Sequence, residues 1–230
     1  QGETGSGKEV VARLVHAQSR RAAGPCIAVN CGAVSRELLE SELFGYEKGA
    51  FTGATTAKPG LIAAAEGGSL FLDEVGEMPG PMQVSLLRFL DRNEYRPVGS
   101  TRTLRADVRI ICATNRDLQE LVLQGRFRDD LLYRINTVTL RVPPLRERSE
   151  DIPGLVAHIL HNLRLPGTAA RMPSADSLEL LTAYRWPGNV RELRNVIERL
   201  VLMSPHTGPI TGEEILQVLP RSSMPPVAGE

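Results

Sequence analysis

Along the first two thirds of this 230-residue chain, short apolar runs alternate with stretches whose apolar residues recur at helical spacing. Residues 26–30, 69–73, 108–113 and 137–142 read as strands, and residues 9–19 and 82–92 as amphipathic helices. That alternation predicts an α/β fold with a parallel sheet and crossover helices. Pro143-Pro144 ends it. From about Asp151 the pattern is helical, with helices predicted over 152–163, 175–184, 189–203 and 212–218. The expected organisation is an α/β domain over 1–146, a small α-helical domain over 147–220, and a linker or tail over 221–230. No internal repeat is visible.

A hydrophobic content of 42% suits a globular chain. Its 27 basic and 27 acidic residues cancel, so no basic excess is available to neutralise phosphates along a nucleic acid. No apolar run approaches the length of a membrane span, and the N-terminus lacks a signal peptide's charged-then-apolar order. Cys26, Cys31 and Cys112 form an odd set without zinc-type spacing, and read as reduced core thiols of a cytoplasmic protein.

Chemistry concentrates in a few segments. Gly2-Glu3-Thr4-Gly5-Ser6-Gly7-Lys8 fits a phosphate-binding loop, whose glycines let backbone N–H groups converge on phosphate oxygens at the start of a helix. Glu9 stands where that pattern places Ser or Thr. A buried strand normally precedes such a loop, yet Gln1 lies directly on it, so the chain is expected to be a fragment of a longer protein. Leu70-Phe71-Leu72 runs into Asp73-Glu74, which presents two carboxylates at a strand's C-terminal edge, where ligands bind in open α/β sheets. His158 and His161 lie at i,i+3 spacing with no acidic or Cys partner nearby and are not read as a metal pair. The alternating charges of 141–151 read as a solvated hinge between the domains.

The segment Gly49-Ala50-Phe51-Thr52-Gly53-Ala54 sets one large aromatic among small, flexible residues without periodicity, which predicts a mobile loop with Phe51 outside the core. With Glu42-Leu43-Phe44-Gly45-Tyr46-Glu47-Lys48 before it, this GAFTGA run resembles the signature loop of sigma-54-dependent transcriptional activators, the bacterial enhancer-binding family of AAA+ ATPases. The resemblance extends from the phosphate loop to the last helices, and Glu9 is the residue that family carries after the loop lysine. It implies a Rossmann-like AAA+ P-loop NTPase domain followed by a helical lid, with ATP and Mg2+ bound between them at a subunit boundary.

By the same resemblance, Lys8 reaches the β- and γ-phosphates, Asp73 orients magnesium and Glu74 polarises the attacking water. Asn30, at the end of the preceding strand, holds and releases Glu74. Thr114 and Asn115 form the first sensor, and Arg191, in the first turn of the helix after Trp186-Pro187-Gly188, forms the second. Arg128 and Arg134, six residues apart, are arginine fingers given to a neighbour's ATP, which implies a homo-oligomeric ring, a hexamer in the family. Residues 49–54 would engage sigma-54 bound to RNA polymerase. No helix-turn-helix pattern follows the lid, so DNA contact is expected only through a separate domain absent from this chain. Another AAA+ remodeller with a different protein target, and a nucleotide-gated scaffold that does not turn over, remain the alternative readings.

Overall fold

The computed structural model describes residues 1–163, 171–203 and 208–219, with only the backbone of Arg36 and Glu37. The expected tail at 221–230 lies outside them. The chain divides into two compact units: residues 8–141 with Gln1, and residues 2–7 with those from 142 onward.

In the first unit, three parallel strands form a sheet in the order β1 (Cys26–Asn30), β4 (Ser69–Asp73), β7 (Arg109–Cys112). Leu70, Phe71 and Leu72 of β4 are buried without alternation, as expected of a strand covered on both faces. Helix α1 (Lys8–Ala17) packs Ala12 with Phe71, Ala113 and Ile111. A larger cluster gathers α2 (Arg36–Phe44), α3 (Leu61–Ala64) and α4 (Gly80–Arg92) through Leu39, Leu43, Ile62, Leu86 and Phe89. Helix α4 opens on Pro79-Gly80-Pro81 and stops at Asn93, whose φ of 55° closes the last turn. The short helices α5 (Leu118–Leu123) and α6 (Asp129–Ile135) follow the sheet.

Two antiparallel ribbons decorate this unit. One pairs β2 (Gly45–Tyr46) with β3 (Lys58–Pro59), and the other pairs β5 (Glu94–Tyr95) with β6 (Leu104–Arg105). Gly45 is required where it stands: φ is +79°, and a Cβ there would lie 2.6 Å from Gly60 N and from Lys58 O.

The second unit is helical, with α7 (Ile152–Asn162), α8 (Ala175–Ala183), α9 (Asn189–Met203) and α10 (Gly212–Val218). Leu193, Val196, Ile197 and Leu200 form the buried i, i+3, i+4, i+7 stripe of α9, and Trp186 is fully buried beside Tyr184. Thr211 and Glu214 form a reciprocal capping box at the start of α10.

The expected strand at 137–142 does not form. Its residues find no ladder partner among the described residues, and Val138 and Leu140 stand exposed. An apolar alternation becomes a strand only when a neighbour takes up its backbone groups. The charged run 141–151 begins where the chain divides into its two units, but it is not solvated throughout as its composition suggested. Leu145 within it is fully buried, and Arg146 and Arg148 are tied to the glycine-rich loop.

Candidate nucleotide site

The parallel register sets Asn30 beside Asp73. Cys31 N donates to Asp73 O at 2.9 Å, so the end of β1 is stitched to the acid pair. Asp73 Oδ1 accepts from Glu74 N at 3.0 Å, and Glu74 takes φ 55°, ψ 43°, left-handed backbone that a non-glycine residue rarely adopts. The chain then turns through the 3-10 segment Val75–Glu77, with Val75 N donating to Ala113 O. The kink lifts the Glu74 carboxylate toward Gly32, where a Cβ would lie 2.3 Å from Glu74 Oε2 and 3.3 Å from Asn30 Oδ1. Burial, with the charges of Asp73 and Glu74 adding to it, pushes the Cys31 thiol up to about 12.

Asn30 does not bond Glu74 in this arrangement. Its Oδ1 accepts from Gly32 N at 2.8 Å and Ala33 N at 3.0 Å, an Asx turn that fixes the loop after β1. Only the Nδ2 group of Asn30 could donate to the Glu74 carboxylate, and in this conformation it makes no such bond, while Oδ1 is held by the turn. Thr114, beyond β7, is buried with its hydroxyl accepting from Arg116 N at 3.0 Å, while Asn115 is exposed.

The glycine-rich loop belongs to the second unit. Gly5 and Gly7 have φ of +76° and +99°. Their N–H groups meet no acceptor among the described residues. The Ser6 hydroxyl is buried without a hydrogen-bond partner. Left-handed glycines, unspent N–H groups and an orphaned hydroxyl suit a polyphosphate. Lys8 opens α1 just after the loop, and the carboxylate of Glu9 accepts from Arg13 Nη2 at 2.7 Å.

Three residues that sequence patterns did not single out hold the loop. Arg146 pairs with Glu3 at 2.6 Å and 2.9 Å, and Arg148 Nη2 donates to Ser6 O at 2.6 Å. Asn189, fully buried with φ 54°, accepts from Leu145 N at 2.7 Å and donates to Glu3 Oε2 at 3.0 Å and Thr4 O at 3.1 Å. An Asn at the head of a helix reads as a cap, so its sequence position concealed this tie. A Cβ on Gly5 would lie 2.4 Å from Gly188 O and 3.0 Å from Arg191 Cβ, which sets Arg191 against the loop. Arg191 is exposed and pairs with no carboxylate among the described residues.

Arg128 stands at the head of α6 with its guanidinium on Asp130 at 2.6 Å and 2.9 Å. That bond holds the Asp130 carboxyl below its usual value. Arg134 donates to Leu90 O at 2.7 Å and pairs with Asp91 at 3.2 Å. Both guanidinium groups are about half exposed.

Residues 49–54 project from the β2–β3 ribbon as a closed turn. Gly49 N donates to Ala54 O at 2.8 Å and Ala54 N to Phe51 O at 3.0 Å. Phe51 is 39% exposed and meets the edge of Tyr46, with ring centroids 5.0 Å apart. Phe51 thus lies outside the core, as expected, although Tyr46 gives its ring a partner that the flanking small residues cannot.

Residues 1–141 match the model of the sigma-54 interaction domain, which spans more than half of the chain. The chain belongs to that family. Residues 146–224 match the AAA+ ATPase lid domain. Relatives of this sigma-54 interaction domain include the DNA-binding transcriptional regulator NtrC of Rhizobium meliloti, 50% identical over 97% of this chain and 46% of its own length. The regulatory protein AtoC of Escherichia coli is 52% identical over 94% of this chain and 46% of its own. The chain spans about half the length of the curated relatives it matches. Among solved structures, NtrX from Brucella abortus superposes with a TM-score of 0.87 at 38% identity, covering 96% of this chain and 50% of that one. NtrX in complex with ATP matches with a TM-score of 0.82 at 39% identity over 95% of this chain and 52% of that one. Yeast Hsp104, at 18% identity and a TM-score of 0.57, shares the fold. The Rossmann-like AAA+ fold with a helical lid expected from the sequence is the family's fold.

Proposed function

We propose that this chain is the ATP-hydrolysing motor of a sigma-54-dependent transcription activator, with residues 1–146 as the ATPase domain and 147–220 as its lid. The acid pair at the end of β4 carries the hydrolytic reading: Asp73 lies in the sheet register, and Glu74 is turned out of it by left-handed backbone. Gly2 to Lys8 wrap the polyphosphate through backbone N–H groups and the Lys8 ammonium. Asp73 supplies an oxygen ligand for Mg2+, which when bound neutralises charge on the phosphates. Glu74 accepts a proton from, and orients, the attacking water. Thr114 and Asn115 follow β7 two and three residues past its end at Cys112 and sense the γ-phosphate from there. Arg191, left without a carboxylate, takes an anionic partner.

Arg128 and Arg134 act on the nucleotide of a neighbouring copy in a ring, which we take to be a hexamer in the cytoplasm. Exposed guanidinium groups with exposed carboxylates to leave, and for Arg134 the Leu90 carbonyl as well, support this reading, since surface pairs are worth only about 0–1 kcal/mol. Their contribution to hydrolysis is about 10³–10⁵ in rate. The partner is sigma-54 holoenzyme at a closed promoter complex. Phe51 is presented to it from a turn at the end of a ribbon, and several copies in a ring multiply a modest grip of about 1.5–3 kcal/mol each.

The decisive experiment compares Phe51→Ala with Glu74→Gln. Phe51→Ala should keep ATP hydrolysis and lose sigma-54 engagement and open-complex formation. Glu74→Gln should keep ATP binding and lose both activities. Normal transcription from a sigma-54 promoter by Phe51→Ala would remove the partner, and normal turnover by Glu74→Gln would remove the acid assignment.

A further inference from the structure

The amide of Gln83 has no part in that reading, yet it is among the most buried polar groups of the first unit, at 1% exposure. It sits on the inner stripe of α4 with Met82, Leu86 and Phe89. Nε2 donates to Met78 O at 2.8 Å and to Arg126 O at 3.0 Å, and Oε1 accepts from Arg128 N at 2.8 Å. Three of the four bonds that an amide can make are made. Met78 closes the 3-10 turn behind Glu74, since its N–H donates to Val75 O and that of Glu77 to Glu74 O. On the other side, Phe127 and Leu131 are buried in the core, and Phe127 N and Arg126 N both donate to Leu121 O. A leucine would fill this helix position without an amide to satisfy. What the amide adds is geometry: it fixes the backbone on both sides of Phe127 to the turn that carries the acid pair.

We propose that Gln83 is a positioning residue for Arg128, setting where the chain delivers that guanidinium; the proposal rests on the reading of Arg128 as a group acting on a neighbour's nucleotide. The Arg128 side chain leaves the backbone at the Cα bonded to the nitrogen that Gln83 holds, so a shift of that N–H displaces the whole arm. A misplacement of about 1 Å in a reacting constellation can cost about 10²-fold in rate. The hydrogen-bond partners of Gln83 are Met78, Arg126 and Arg128, none of them in the phosphate loop, so nucleotide affinity should not follow.

The test uses the whole protein with Gln83→Leu, ATP affinity measured by equilibrium binding, and hydrolysis measured as phosphate release. Gln83→Leu should bind ATP like the unmodified protein while kcat falls about 10²-fold. Mixed with Glu74→Gln subunits, which bring an intact Arg128, it should recover hydrolysis; mixed with Arg128→Ala subunits it should not. Gln83→Glu keeps an acceptor for Arg128 N and, protonated at this buried position, one of the two donors, so its loss should be smaller, and it carries the same mixing test should the leucine variant not fold. Full kcat in either variant, recovery with Arg128→Ala instead of Glu74→Gln, or ATP affinity falling in step with kcat would each overturn the assignment. The underlying reading fails separately: if Arg128→Ala alone hydrolyses ATP normally, the trans role falls and Gln83 with it. If Arg128→Ala is inactive while Gln83→Leu is active, only the Gln83 inference falls.

Discussion

Replacing Asn189 with alanine removes the tie that binds the glycine-rich loop to the segment before α7. The side chain is fully buried, so its partners are not rescued by solvent where they too are buried. The Leu145 N–H suffers most: it lies in a residue with no exposure, and its loss costs about 1–3 kcal/mol as an unsatisfied donor. Glu3 keeps its bonds to Arg146 and is partly exposed, so the lost donations to Glu3 and to Thr4 O add only about 1 kcal/mol together. Alanine at a φ of 54° adds about 1–2 kcal/mol of backbone strain. The sum is roughly 3–6 kcal/mol for Asn189→Ala. Asn189→Gly loses the same bonds without the strain and should be milder by about 1 kcal/mol. Asn189→Asp can still accept from Leu145 N but sets a buried carboxylate against Glu3, and should be unstable in a manner that lower pH, by protonating the pair, partly relieves. Urea unfolding of the three variants, alongside ATP affinity, checks the series. If Asn189→Ala unfolds within about 0.5 kcal/mol of the unmodified protein, the bonds to Leu145 and the loop contribute nothing and the account is refuted.

Gly32→Ala should leave the fold largely intact but push the Glu74 carboxylate aside, because the added methyl would lie 2.3 Å from Glu74 Oε2; phosphate release should fall with ATP affinity unchanged, and unaltered turnover would show that Glu74 swings freely. Cys31 and Cys112, both raised to about 12 chiefly by burial, should resist alkylation at mild alkaline pH until urea is added, as mass spectrometry would reveal. Because their folded values exceed the unfolded value of 9.0, their contribution to stability is full below that pH and is lost as pH rises toward the folded values; melting temperature should decline through that window, and decline less in Cys112→Ser if its fold is otherwise kept.

The chemistry of this chain was legible where it depends on a local pattern. Strands 26–30 and 69–73 were read to the residue, because continuous apolar runs that end in a polar residue have few other uses. The glycine loop, the acid pair and the exposed Phe51 followed from residue types at short spacing. What escaped was everything decided by distant partners. The alternation at 137–142 was ambiguous without its ladder, and Arg146 and Arg148 looked like solvated charges until Glu3 and Ser6 came beside them, more than 140 residues away in the chain. Asn189 and Gln83 were hidden differently: a polar residue at a helix start, or within a helix, gives no sign of which backbone groups it will meet.

The left-handed backbone at Glu74 makes this protein less stable than its sequence could allow. A residue with a branched or long side chain in that region costs about 1–3 kcal/mol, and asparagine tolerates it better. Glu74→Asn should therefore melt higher than the unmodified protein while losing the carboxylate above Gly32. A search for thermostable variants that scores only folding would drift toward that substitution and away from turnover. The turn at the end of β4 is thus a place where a stabilised sequence and a working one part company.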